Sequence, residues 1–155
     1  MAAQQLETVE IAPVRPEDVE ALLDLARAFH AEEGRRLDAA NEAALIAITR
    51  GEPLARAWLV RVADRPVGYL ILTLGYSVEY GGRDGFIDDL YVAPDARGRG
   101  LGRNLLDHAF AAAVRLGIRT LHLEVEPDNG GAACLYRSAG FEETGRRLMR
   151  RRLVA

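Results

Sequence analysis

Between Ala96 and Leu106 the chain reads ARGRGLGRNLL, with three glycines alternating with other residues where an apolar helical pattern begins. Glycine costs about 1 kcal/mol against alanine inside a helix, so its use at a helix mouth in an alanine-rich chain needs a reason. A helix start leaves its first backbone N–H groups without partners and carries about half a positive charge. Both features attract phosphate. A side chain at Cβ would hold an anion away from those amides. Gly98, Gly100 and Gly102 remove that obstacle and permit positive φ. Arg97 and Arg99 could add charge-assisted hydrogen bonds. The chemistry this stretch suits is the cradling of a phosphate group. The plainer alternative is a glycine turn that packs a helix tightly on a sheet. Two other phosphate loops do not fit. A P-loop needs four residues between its glycines and then Lys-Ser/Thr, and all 20 basic residues here are arginine. A dinucleotide turn wants Gly-x-Gly-x-x-Gly in the first strand–helix turn. Here the third glycine comes one residue early, about two-thirds along the chain.

The other reactive side chains exclude more than they suggest. Without lysine there is no lysine nucleophile. Cys134 is the only cysteine, so there is no internal disulfide and no cysteine-based metal cluster. It is expected to be a small buried apolar residue rather than an acyl carrier. His30, His108 and His122 are scattered without metal-ligand spacing, and no metal is expected.

These residues need elements to position them. The chain has 155 residues, 49% apolar and 28% charged, with a formal charge of −3. One globular domain over residues 1–155 follows, with no strong pull towards nucleic acid. No apolar run approaches the roughly 18 residues that span a bilayer, and MAAQQLETVE lacks a signal-peptide core. A soluble cytoplasmic protein is expected. Thr8–Val14 reads as a strand. Val19, Leu22, Leu23, Ala26 and Phe29 give helical spacing over residues 16–33, ended by Gly34. Asp38 is a candidate N-cap for a helix to about Arg50. Ala57–Val62 and Val67–Leu74 read as a hairpin through ADRP. GYSVEYGGR, residues 75–83, reads as a glycine-rich loop, and Phe86–Val92 as a strand. A long helix starts at Leu101, with Leu105, Ala109, Ala112 and Leu116 on one stripe and Gly117 as its C-terminal stop. Leu121, Leu123 and Val125 alternate with polar residues as a half-buried strand. Ala132–Ala139 reads as a short helix, and Phe141–Val154 as a final strand. The order β-α-α-β-β-β-α-β-α-β predicts an α+β, or α/β sandwich, fold around one mixed sheet flanked by helices.

At this point the sequence resembles the GCN5-related N-acetyltransferases. Their central motif is a strand, a short loop and Arg/Gln-x-x-Gly-x-Gly/Ala opening a helix. Arg97, Gly100 and Gly102 stand at its defining positions. A second motif, Asn-x-x-Ala-x-x-Leu-Tyr-x-x-x-Gly-Phe, is met by Asn129, Ala132, Leu135, Tyr136, Gly140 and Phe141. The resemblance is specific from about Phe86 to Phe141. It implies acetyl-coenzyme A as co-substrate, its pyrophosphate held by amides of Arg97, Gly98, Arg99, Gly100, Leu101 and Gly102. It also implies that main-chain groups of Leu90, Tyr91 and Val92 border the thioester arm, with Val92 N–H the carbonyl donor. Asn129 would bond the pantetheine arm, or serve only as a helix cap. A homodimer is an assembly the resemblance allows, with no interface legible in the sequence.

Acetyl transfer to an amine requires a neutral amine, a polarised carbonyl and a proton for the departing sulfur. In FIDDLYV, Asp88 and Asp89 are candidates to bind the cationic amine and accept its proton, directly or through water. A regular strand would send them to opposite faces, whereas a bulge could bring both close. The pair resembles the Glu-Asp of spermidine/spermine acetyltransferases, which also precedes the glycine loop. Alternatively, one aspartate faces solvent and the other caps backbone. Tyr136 is the candidate acid, because a phenol near pKa 10 can protonate a nascent thiolate. Its alternative is a core ring beside Leu135 and Phe141. His30, Glu32 and Glu33 end the first helix, which often borders the acceptor in this family. Glu79, Tyr76 and Tyr80 lie in the glycine-rich loop, with Tyr76 and Tyr80 as candidate walls. With Asp88 and Asp89, Glu33 and Glu79 give a modest acidic bias. The expected reaction is direct transfer in a ternary complex to a small cationic primary amine. A protein or peptide amine, or a coenzyme A-binding module without turnover, are the alternatives. RRLMRRRL reads as a solvated face.

Overall fold

The computed structural model describes residues 7–153. The chain divides into two compact units, the first ending at Glu124 and the second beginning at Val125. The first contains a five-stranded sheet with the strands in chain order. Strands β1 (Val9–Pro13), β2 (Ala55–Val62), β3 (Arg65–Ser77) and β4 (Gly82–Val92) are antiparallel neighbours. Strand β5 (Thr120–Leu123) adds in parallel beside β4, so the sheet is mixed as expected. The β2–β3 turn is a two-residue hairpin with both Ala63 and Asp64 at positive φ, the geometry that follows the twist of the strands.

Two helices precede β2. A 3-10 turn at Pro16–Asp18 leads into α1 (Val19–Glu32), so the helical run read from residue 16 begins as a tighter coil. Helix α2 (Ala39–Thr49) starts at Asp38, whose side chain accepts from Asn41 N at 2.8 Å. Leu22, Leu23, Leu25 and Ala26 of α1 pack with Leu45 of α2 against Ala57, Leu59, Tyr69, Ile71 and Tyr91. The alternating strand positions Trp58, Val60, Leu70, Leu72 and Ile87 are buried as well. Strand side chains alternate between faces, so the sheet is covered on both sides. Helix α3 (Leu101–Arg115) buries Leu101, Leu105, Leu106, Ala109, Ala112 and Ala113 and contacts β2, β3 and β4. A fully buried leucine such as Leu105 contributes about 1.5–3 kcal/mol to holding that helix in place.

The segment read as a loop over residues 75–83 is mostly sheet. Ser77 faces Gly82 and Gly75 faces Asp84, so β3 and β4 form one long hairpin that turns at 78–81. Ladder pairing overrides the weak strand propensity of its glycines here. Strand β5 is shorter than the read strand. All four of its residues are half-buried, without the expected alternation.

In the second unit, α4 (Gly130–Ser138) follows Asn129. The final strand expected over residues 141–154 is not formed among its described residues, 141–153. A strand needs a ladder partner, and the runs of two and three arginines on either side of Leu148 and Met149 give no clean period-two face to bury. Leu148, Met149 and Leu153 are exposed.

Candidate active site

Strand β4 does not run straight past its two aspartates. Ile71 faces Asp89 while Leu72 faces Ile87, so Asp88 is one residue too many for the ladder. This is a β-bulge, the feature that releases adjacent side chains from strict alternation. Directly facing residues share a side of the sheet, so Asp89 lies with Ile71, Tyr69 and Tyr91 on the α1 face. Tyr69 is fully buried, and its hydroxyl donates to Asp89 Oδ2 at 2.8 Å.

Both aspartates are held above the ordinary carboxylate range. At Asp89 burial is the main cause and the charge of Asp88 adds to it. The Tyr69 hydrogen bond and the charges of His30 and Arg35 work in the other direction. At Asp88 crowding by protein atoms is the cause, but water still reaches this exposed side chain and moderates the effect. A carboxylate with a raised pKa is better matched to taking a proton near neutrality.

The main chain of β4 offers donors beside these acids. Ala93 N donates to Val67 O at 2.7 Å, which makes those two a hydrogen-bonded pair. Bonded and non-bonded pairs alternate along an antiparallel ladder. Tyr91 and Tyr69 are therefore a bonded pair, whereas Leu90 opposite Leu70 and Val92 opposite Gly68 are not. The N–H groups of Leu90 and Val92 point away from β3. On that side β4 is paired with β5 only from Asp84 to Ile87. Two main-chain donors thus face the gap where the strands part. Arg97 Nε reaches Val92 O at 2.8 Å from the same side. Tyr91 stands apart from its two neighbours. Its amide faces β3, its ring is buried, and its hydroxyl donates to Glu32 Oε1 at 3.0 Å.

After Pro94–Ala96, a 3-10 turn, the chain enters α3 through Arg97–Gly100. Gly98 has φ +74° and Gly100 has φ +76°, and nothing lies within 4 Å of where a Cβ would sit at either. Backbone conformation, rather than crowding, selects glycine at both positions. Gly100 is the N-cap and supplies no side-chain hydrogen bond to the first turn. The entrance to α3 is therefore open, with donors unclaimed by the cap, which fits a diphosphate. The two arginines do not reach over this entrance. Arg97 Nη2 donates to Glu32 Oε2 at 2.7 Å, and Arg99 Nη2 to Glu7 Oε2 at 2.7 Å.

The remaining expected residues are dispersed. Glu33 pairs with Arg35 just past α1, near the charges that act on Asp89. Glu79 and Tyr80 sit at the β3–β4 turn. The Tyr80 ring lies 5.0 Å from that of His122, whose Nε2 is 3.4 Å from Asp84 Oδ2. The stretch from Gly82 to Asp88 spans roughly 20 Å of strand, so Glu79 and Tyr80 do not join Asp88 and Asp89 in one acidic cluster. Tyr76 is exposed.

Within the second unit, the Asn129 side chain accepts from Ala132 N at 3.1 Å, the helix-cap role. The Tyr136 ring meets Phe141 edge-on at 6.0 Å. Cys134 is exposed, contrary to the expectation of burial. It lies on α4, a short helix in which no residue is buried. Among the described residues no three His, Cys, Asp or Glu side chains gather as metal ligands, and no helix is long and apolar enough to cross a membrane.

Sequence reasoning missed Tyr69 as a partner of the acid pair. The available signal was two tyrosines in otherwise aliphatic strands, because a buried hydroxyl requires a partner.

Comparison with known proteins shows what the chain and its fold are similar to. Peptidyl-lysine N-acetyltransferase YjaB of Salmonella typhimurium is 35% identical over 95 residues, 61% of this chain and 55% of that protein. The chain thus spans about half the length of that relative. An integron cassette protein from the mobile metagenome of Cole Harbour Salt Marsh has a similar structure. Its TM-score is 0.80 at 38% identity, over 94% of this chain and 91% of that one. Aminoglycoside N-acetyltransferase AAC(6')-Iy, solved with CoA, shares the fold at TM-score 0.84 and 16% identity, over 99% of this chain and 100% of that one. The model of the acetyltransferase (GNAT) family matches residues 19–141, and the chain belongs to that family.

Proposed function

We propose that the chain transfers the acetyl group of acetyl-coenzyme A directly to a small, cationic primary amine, with both substrates bound together. One observation carries this reading. The bulged acid pair, the outward amides of Leu90 and Val92, and the open glycine entrance of α3 all lie on one run of chain, residues 88–102. The bound coenzyme supplies an acetyl carbon activated as a thioester. The amides of Gly98–Gly102 and the start of α3 hold its diphosphate. Val92 N–H, with Leu90 N–H beside it, binds the arm and polarises the carbonyl. Asp89, steadied by Tyr69, attracts the ammonium form of the acceptor. Asp88, in reach of water, accepts its proton through a bridging molecule. Tyr136 is the proton donor on the leaving-group side.

A lysyl side chain ends in the same alkylammonium, and the Salmonella relative is a peptidyl-lysine N-acetyltransferase. Peptide lysine is therefore the second reading. Thiol release from acetyl-coenzyme A, measured across diamines, polyamines, aminoglycosides and lysyl peptides, separates the two. Turnover with free diamines or aminoglycosides is expected. Turnover with peptides alone favours the second reading. Binding of the coenzyme without thiol release in any mixture contradicts both and leaves a non-catalytic coenzyme A-binding module.

A further inference from the structure

We propose that Glu32, the last residue of α1, is a positioning residue that latches Arg97 and so holds the entrance of α3 in the shape that receives the coenzyme's diphosphate. This rests on the cofactor reading above. Both carboxylate oxygens of Glu32 are committed. Oε2 accepts from Arg97 Nη2 at 2.7 Å, and Oε1 accepts from the Tyr91 hydroxyl at 3.0 Å. Arg97 is also tied to β4, through Nε to Val92 O at 2.8 Å, and its guanidinium lies 5.7 Å from the centroid of the Tyr91 ring. The side chain is thus directed back towards β4 and α1, away from the α3 entrance.

The loop needs such a tether. Ala96 and Leu101 are buried and fix its two ends. Between them, Gly98 and Gly100 have no side chains and nothing near their Cβ positions, so they contribute no anchoring contacts. A glycine segment left free samples many conformations, and coenzyme affinity falls in proportion to the fraction that is competent. The Arg97 hydrogen bond, helped by that of Tyr91, also holds the Glu32 carboxyl below its ordinary range, against the burial that raises it.

The direction of the effect distinguishes a latch from simple electrostatics. Removing a negative charge near an anionic ligand should strengthen binding. Removing a latch should weaken it. Coenzyme A affinity is measured by calorimetry on the full chain and on Glu32→Gln, Glu32→Ala, Arg97→Ala and the double alanine variant. Glu32→Ala is expected to bind about three- to fivefold more weakly, the scale of one partly exposed ion pair. The double variant should bind no more weakly than Arg97→Ala alone, because Glu32 acts through Arg97. Glu32→Gln, which still accepts from Tyr91, should fall between parent and Glu32→Ala. KM for acetyl-coenzyme A should rise by more than kcat falls. Unchanged or tighter binding by folded Glu32→Ala overturns the latch, and so do multiplicative losses in the double variant. A parent chain that does not bind coenzyme A overturns the cofactor reading, and the latch with it.

Discussion

Replacing Tyr69 with phenylalanine removes one buried oxygen and almost no volume. The lost contact is the 2.8 Å hydrogen bond to Asp89 Oδ2. A hydrogen bond to a charged group contributes about 1.5–3 kcal/mol, against about 0.5–1.5 kcal/mol for a neutral pair. In the parent, burial already holds the Asp89 carboxyl above its unfolded value, and the tyrosine opposes that rise. Between the two values the folded state binds more protons than the unfolded chain. The stability tied to this group is therefore fully present below the unfolded value and lost as pH rises through the folded one. The substitution raises the folded value further, so its cost grows with pH. Urea unfolding should show a loss of about 1.5–3 kcal/mol at pH 7.5, and about 0.5–1.5 kcal/mol well below pH 4, where Asp89 is protonated in both states. The difference between those two losses is about 1–1.5 kcal/mol, and at about 1.36 kcal/mol per unit the acidic limb of kcat/KM should move up by roughly one pH unit. An equal stability loss at both pH values, with an unmoved limb, would refute the assigned role of the Tyr69–Asp89 pair.

Two other substitutions test neighbouring parts of the account. Tyr136→Phe should lower kcat by about 10²-fold, the lower end for loss of a general acid, with coenzyme A affinity unchanged by calorimetry; unchanged turnover removes the acid role. Gly68→Ala places a methyl 2.5 Å from Tyr91 O and 3.2 Å from Val92 Cα. Because the strands must part at the Val92 amide, it should cost about 1–3 kcal/mol in denaturant unfolding and weaken coenzyme binding together; parent-like behaviour in both measurements would contradict the tight β3–β4 contact.

Elements with strong periodicity were legible in the sequence. The Leu22–Ala26 stripe, the Leu105–Ala112 stripe and the Asp38 cap all stand as read, because local pattern and burial agree there. The long β3–β4 hairpin was hidden by Gly75, Gly81 and Gly82, whose propensities suggest a loop until a partner strand is known. The strand read after Phe141 erred in the opposite way. Its residues suit a strand, but sequence alone does not reveal whether a partner exists. The bulge at Asp88 was legible only as a condition under which both acids could act. Its location depends on pairing with Ile71 and Leu72. Glu32 and Arg97 are 65 positions apart, and only the packing of α1 beside the end of β4 brings them together. The burial of Tyr69 and Tyr91 likewise follows from tertiary contacts rather than from spacing.

The central claim is that the main chain at the entrance of α3 receives the coenzyme's diphosphate. Calorimetry of coenzyme A with the parent and with Gly100→Glu tests it most directly, because the new side chain brings negative charge and a Cβ into a left-handed position that is open in the parent. The account predicts saturable binding by the parent and none detectable in the folded variant. Equal affinity in the two would contradict it.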